Sequence, residues 1–409
     1  MGGTASFRRL WAGQTTSVFG TAVSALAVPT IAIVVLRAPA FWIGVLEAAQ
    51  YAAFPVFGLV AGVWVDRWSR RTTMLTADVV RTLALASIPL AALAHVLGFA
   101  QLVAVALFVG IASVFFDVAY QAYVPALVAP AWLEHANARL EASNSAARLA
   151  GSGLAGVLIA LVGAPLAVAC DAMSYLVSVA ALAGIRVPET HRDTVSASEP
   201  LAFAVALREG IALVVRSPVL RAILCATASV NFGSSIVDAV YLLFLYRVLH
   251  FSPALTGIVF ACGNLGFLGA LAAPALGRRF GAGPLLGISL IGSIVAAFAI
   301  PLALVVQPLA VILCVQILSA ICIPLYNITQ LSLRQRMVPA DKLGRMNATM
   351  RTAVWGVMPL GALLGGTLGA SIGIVPTLVV GTLAMGAAIP FVLAPVVRKL
   401  AAAPQGEAA

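Results

Sequence analysis

Between Trp11 and Leu36 not one residue carries a charge, and stretches of this kind recur to the end of the chain. A helix that crosses a bilayer needs about 20 mostly apolar residues. Inside hydrocarbon there is no water to satisfy an unpaired backbone, so such a stretch must pair its own polar groups. The pattern predicts a bundle of spanning helices and leaves little chain for a soluble domain. Composition agrees: 62% of the 409 residues are hydrophobic and 9% charged, against roughly 25% charged in an ordinary soluble domain.

Spans are expected at residues 11–36, 41–64, 72–94, 99–127, 137–162, 165–185, 219–246, 254–276, 284–306, 309–333, 344–368 and 373–397. The fold class expected is therefore all-α and integral to the membrane, with twelve transmembrane helices. The first span is too long for the apolar core of a cleaved signal peptide and reads as a retained anchor. With the N-terminus cytoplasmic, Arg8, Arg9, Arg67, Arg70, Arg71, Arg139, Arg186, Arg192, Arg208, Arg216, Arg278, Arg279, Arg334, Arg336, Lys342, Arg345, Arg398 and Lys399 fall on or beside the inner face. Arg37 and Arg247 fall at outer ends. Basic residues concentrate on the cytoplasmic side of membrane proteins, so this placement explains the net charge of +10 without nucleic acid and puts both termini inside. The five cysteines, Cys170, Cys225, Cys262, Cys314 and Cys322, lie within apolar runs and read as free thiols.

One long polar connection, containing VPETHRDTVSASEP, divides the chain. It suggests an N-terminal six-helix half over 1–185, a cytoplasmic linker over 186–218 and a C-terminal half with a short tail over 219–409. Within the linker, LAFAVALREGIALVVRS has one apolar face and is expected to lie along the inner membrane surface. The halves resemble each other. Phe19, Gly20 and Gly44 match Phe232, Gly233 and Gly257 at an offset of 213, and Leu133, Asn137, Ala138, Gly151, Gly156 and Gly163 match Leu343, Asn347, Ala348, Gly361, Gly366 and Gly373 at 210. A repeat of six spans keeps both halves in one orientation and places a binding site near mid-bilayer at their interface.

The turn after span 2, GVWVDRWSRR, crowds one acid and three arginines between two apolar runs. Retention of the loop inside explains the arginines but not Asp66. The pattern Gly62, Asp66, Arg67, Arg70, Arg71 resembles the signature of the major facilitator superfamily, with Ser69 where that family usually has glycine. The twelve-helix, two-half layout agrees over nearly the whole chain. In that family the acid caps helix 11 and joins a charge network favouring the outward-open state. The resemblance implies the same for Asp66, Arg70 and Asp117, and only in the first half, because LGRRFG in the second has no acid. RRLWAGQTTSVFGTAVSALAVP, FFDVAYQAYVPALV, CDAMSYLVS and REGIALVVRSPVLR resemble the drug-exporting branch that includes macrolide-efflux and enterobactin-exporter proteins. Ser152 in GSGLAG stands where the antiporter pattern has proline.

Ionisable groups within spans are functional candidates by default. Asp78 and Arg81, three apart, read as a local pair. Asp117 and Arg148 each sit roughly 16 Å from the inner end of their spans at the helical rise. That matching depth suggests a pair that Arg70 competes for, or a permanent link between spans 4 and 5. Glu47, Asp171 and Asp238 have no basic residue within a helical turn and are proton-coupling candidates, alternatively held by neighbouring hydroxyls. Asp238 ranks first because Asn231 shares its face. Substrate-cavity candidates are Asn231, Tyr120, Gln121, Gln316, Tyr326, Asn327 and Gln330. A few polar groups in an apolar pocket suit a bulky amphiphile. Tyr123, on the same span as Tyr120 and Gln121, reads either as a further cavity group or as an interfacial anchor.

The expected function is proton-coupled export of a bulky amphiphilic small molecule, such as a drug or siderophore-like compound, by a monomer in a bacterial cell membrane. Import of a small metabolite is the competing reading. An enzyme is disfavoured: His95, His135, His191 and His250 show no metal-ligand spacing, and a chain with only Lys342 and Lys399 has no phosphate-binding Gly-x-x-x-x-Gly-Lys-Ser/Thr loop. No cofactor or metal is expected.

Overall fold

The computed structural model describes residues 2–129, 132–185, 200–398 and 400. Among these, every regular element is helical. The helices are α1 (Gly2–Thr30), α2 (Ala40–Arg67), α3 (Arg70–Leu93), α4 (Phe99–Leu127), α5 (Leu133–Val162), α6 (Ala164–Ala183), α7 (Pro200–Arg216), α8 (Pro218–Leu243), α9 (Pro253–Gly263), α10 (Phe267–Phe280), α11 (Ala282–Phe298), α12 (Pro308–Met337), α13 (Ala340–Gly356), α14 (Met358–Ser371), α15 (Ile374–Gly386), α16 (Ile389–Leu393) and α17 (Pro395–Arg398). They supply 12 stretches long and apolar enough to cross a membrane, as the pattern of apolar runs predicts.

Several of the expected spans are interrupted, among them the eighth, eleventh and twelfth. The eighth divides into α9 and α10 at a turn flanked by Gly263 and Gly266, residues that weaken a helix interior. The eleventh breaks at Val357, two residues before Pro359, and the twelfth between α15 and α16, just before Pro390. Proline has no N–H to donate to the preceding turn, and its ring crowds the carbonyl there.

The chain forms two compact units. Unit 1 comprises Met1–Ser196 with Leu245–Ala261, and unit 2 comprises Ala197–Phe244 with Cys262–Ala409. In unit 1, α1 packs along α5 and α6, α3 along α4 and α6, and α2 along α4. In unit 2, α8 packs along α14 and α15, α11 along α12 and α15, and α10 along α12. The second set repeats the first, helix for helix.

The repeat extends to atoms. A Cβ on Gly151 would stand 2.7 Å from the Phe19 carbonyl oxygen, and one on Gly361 2.5 Å from that of Phe232. Both helix pairs therefore touch where only glycine leaves room. Gly163 alone joins α5 to α6, and Ile372 and Gly373 join α14 to α15, with the glycine at φ 83° in the first corner and 92° in the second. The end of α1 opens into a π-helical turn at Ile31–Val35, and α8 does so at Phe244–Val248, again 213 residues apart. Beyond each turn an amide reaches six residues back, Ala38 to Ala32 at 2.8 Å and Phe251 to Leu245 at 2.9 Å. Between them Arg37 and His250 adopt left-handed backbone, φ 51° and 54°.

The corner glycines are the simplest to test. Gly373 combines φ 92° with ψ 167°, a region essentially closed to residues with a Cβ and costing about 1–3 kcal/mol to occupy. Gly373→Ala should lower the thermal midpoint of the detergent-solubilised protein, and Gly163→Ala should do the same. An unchanged midpoint for both would mean the corners relax at no cost.

The linker helix expected at the membrane surface is α7, and it packs on α13. Glu209 pairs with Arg345, and Gly210 lies against the Arg345 carbonyl and the Thr349 side chain.

Candidate functional site in unit 2 and a buried charge cluster in unit 1

Along α8, Thr227, Asn231, Ser234, Asp238 and Tyr241 follow one another at steps of three and four, which puts them on one face of the helix. All five line a cavity of about 280 Å³ within unit 2. α12 closes it from the other side with Gln316, Ser319, Ile323, Tyr326 and Asn327, and α11 adds Leu290, Ser293 and Ala297. The Tyr326 and Thr227 hydroxyls meet at 2.7 Å, and Asn231 Nδ2 donates to the Val354 carbonyl at 2.9 Å. These bonds hold the polar rim in place. Asp238 is the one charged residue in the lining, and its side chain is exposed to the cavity.

Of the cavity residues expected from sequence, the structure thus brings together Asn231, Gln316, Tyr326 and Asn327, with Asp238 among them. Gln330 is a correction. It follows Tyr326 by one turn of α12 but is buried, 8% exposed, and does not line the cavity. Tyr120 and Gln121 lie in unit 1. Tyr120 stacks on Phe116 with ring centres 6.0 Å apart, and Gln121 is exposed. Tyr123, expected in the cavity or at the interface, is fully buried in the unit 1 core.

The basic turn staples helix ends. Ser69 caps α3 by accepting from the Thr72 amide. Arg70 Nη1 donates to the Ala122 carbonyl near the end of α4 at 3.0 Å. Arg71 donates to the Leu182 and Ala183 carbonyls at 2.9 and 2.7 Å, and Arg9 to that of Gly184. Cations at helix C-termini complement the exposed carbonyls and the helix dipole. Asp66 lies in the last turn of α2, and its side chain falls outside the described residues. Asp117 and Arg148, expected to pair, both have exposed side chains and form no ion pair with each other.

A second polar group is sealed inside unit 1, where α1, α3 and α6 cross. The Asp78–Arg81 pair is present, with Arg81 Nη1 donating to Asp78 Oδ1 at 3.0 Å. Ser178 of α6 donates to the other oxygen at 2.6 Å. The guanidinium lies over the Phe116 and Tyr175 rings, 4.5 and 5.0 Å from their centres. Tyr175 and Thr21 of α1 join hydroxyls at 2.8 Å. Asp171, the one proton-coupling candidate that is fully buried, is 2% exposed and within electrostatic reach of Arg81. Asp171, Ser174, Tyr175 and Ser178 sit at steps of three and four on α6. That spacing was the available signal for the cluster, whereas Arg81's part in it depends on which helix lies opposite. Glu47 is half-buried in α2.

A sequence profile described as Major Facilitator Superfamily matches residues 10–362. The chain is 26% identical over 343 residues to the multidrug efflux pump Tap of Mycolicibacterium fortuitum, covering 80% of each. It is 23% identical over 378 residues to macrolide efflux protein A of Streptococcus pyogenes, covering 90% of each. Among solved structures, a bacterial homologue of the iron transporter ferroportin superposes with a TM-score of 0.75 at 17% identity, over 95% of this chain and 98% of the other. The nucleoside transporter NupG superposes at 0.75 with 13% identity, over 95% and 97%. At such identities these structures share the fold alone. The profile match, the 12 spans and the helix-for-helix repeat agree: the chain belongs to the Major Facilitator Superfamily, a family of transporters.

Proposed function

We propose that the protein is a proton-driven exporter of amphiphilic small molecules bearing a positive charge. It would work as a monomer in a bacterial cell membrane, with both termini in the cytoplasm. The observation that carries the substrate class is the cavity of unit 2, in which Asp238 is the one charged lining residue among amides, hydroxyls and apolar side chains. In a medium of low dielectric an unopposed carboxylate attracts a cation far more strongly than it would in water. The apolar walls reward burial of hydrocarbon at roughly 25 cal/mol per Å². A cavity of about 280 Å³ is at the small end of ligand pockets, so it seats the charged portion of a larger molecule. The similarity to a multidrug efflux pump and a macrolide efflux protein supports the outward direction.

Inverted membrane vesicles test the reading. Energised vesicles containing the protein should accumulate ethidium, and an uncoupler should release it. Accumulation that survives the uncoupler would remove proton coupling. Depletion instead of accumulation would mean import.

A further inference from the structure

We propose that the proton is exchanged at Asp171, in the buried cluster of unit 1 and apart from the cavity that takes the substrate. This deepens the export reading and rests on it for the meaning of the proton.

The charge count comes first. Asp78, Arg81 and Asp171 are 0%, 4% and 2% exposed. Two acids and one base make an electrically neutral cluster only when one proton is bound, and an uncompensated charge inside a membrane protein is expensive. Arg81 is committed to Asp78, which also takes the Ser178 proton. Asp171 is thus the acid left to hold the extra proton.

Local geometry agrees. The Ser174 hydroxyl lies 2.8 Å from the Asp171 carbonyl oxygen and 3.2 Å from its Oδ1. A hydroxyl has one proton to give. That one proton is shared between the closer carbonyl and the carboxyl, so Ser174 donates only weakly to Oδ1 and does little to hold a charge there. Ser24 Oγ of α1 lies beside the same carboxyl, and Arg81 Nε is buried with no hydrogen-bond partner. Unused hydrogen-bonding capacity around a buried acid is what a group that changes protonation needs. The groups acting on Asp171 are Arg81 and Asp78 from α3 and Tyr175 from its own helix, while α1 brings the hydroxyls of Thr21 and Ser24.

The internal repeat supplies a control. At an offset of 210, Asp171, Ser174, Tyr175 and Ser178 correspond to Gly381, Ala384, Met385 and Ala388. The helix crossing is nevertheless the same: Gly20 of α1 lies against Asp171 and Ser174, and Gly233 of α8 against Gly381 and Met385. The crossing therefore needs no charge, and the acid in unit 1 calls for another reason. Proton exchange gives one, because Gly20 presses α1 directly on the carboxyl, so that a change of charge there is felt by α1.

The test compares parent, Asp171→Asn, Asp171→Glu and Asp238→Asn by two readouts. Infrared titration of the purified protein should show a protonated-carboxyl band that is lost in Asp171→Asn and kept in Asp238→Asn. Energised inverted vesicles with Asp171→Asn should accumulate ethidium at least tenfold less than the parent, while Asp171→Glu restores accumulation with a shifted pH midpoint. An unchanged carboxyl band in Asp171→Asn, or parental accumulation by that variant, overturns the proposal. Should Asp171→Asn fail to fold, the Glu variant decides: a moved pH midpoint and band support the assignment, and unmoved ones reject it. If the parent itself shows no gradient-driven accumulation, the export reading fails, and the infrared band still accepts or rejects proton exchange at Asp171.

Discussion

Asp238→Asn is expected to lower transport of ethidium at least tenfold while a neutral amphiphile is carried within about twofold of the parent. A tenfold change corresponds to about 1.4 kcal/mol, a modest demand on a carboxylate with no cation beside it in the cavity lining. The asparagine keeps the volume and most of the hydrogen bonding, so the two substrates separate charge recognition from shape. Initial rates in inverted vesicles, with expression matched, make the measurement. Equal loss for both substrates would show that Asp238 supports the cavity wall; no loss for either would place cation recognition elsewhere.

The second large effect concerns packing. A Cβ on Gly233 would lie 2.4 Å from the Met385 amide nitrogen and 2.5 Å from the Gly381 carbonyl oxygen. These are backbone atoms, so relief requires that α8 and α15 move apart. Overpacking of a tight core typically costs about 1–3 kcal/mol, and Gly233→Ala should lower the thermal midpoint in detergent accordingly. Gly361→Ala, against the Phe232 carbonyl, should act similarly. Leu360→Ala, at a position 61% exposed, serves as the control and should leave the midpoint in place. Stability equal to the control in both glycine variants would mean that the contacts open without penalty. Small residues carry helix contacts in membranes because close packing there replaces the hydrophobic effect as the source of association.

Much of this was legible in the chain because membrane spans are read from long apolar runs and the repeat from matched residues. The Asn231–Asp238 face of α8 follows from spacing along one helix, as does the Asp78–Arg81 pair. Periodicity cannot say which faces of different helices meet. Asp171 looks isolated along its own helix, and only the crossing of α3 with α6 brings Arg81 to it. The same limit produced the misplaced Gln330, which keeps the spacing of a cavity residue but is packed into the protein instead. Asp117 and Arg148 have matched depths, but depth fixes neither helix rotation nor partner, and the two side chains do not pair.

The π-helical turns at Ile31–Val35 and Phe244–Val248 bear on the history of the molecule. One residue added to an α-helix rotates everything beyond it by about 100°. An insertion made in one half alone would have thrown the loop and the next helix out of phase with their counterparts. The two turns instead stand at one offset, followed by the same six-residue backward bond and the same left-handed residue. A single insertion in a six-helix unit that was later doubled would account for both turns at once, whereas two separate insertions would have to coincide in position and geometry.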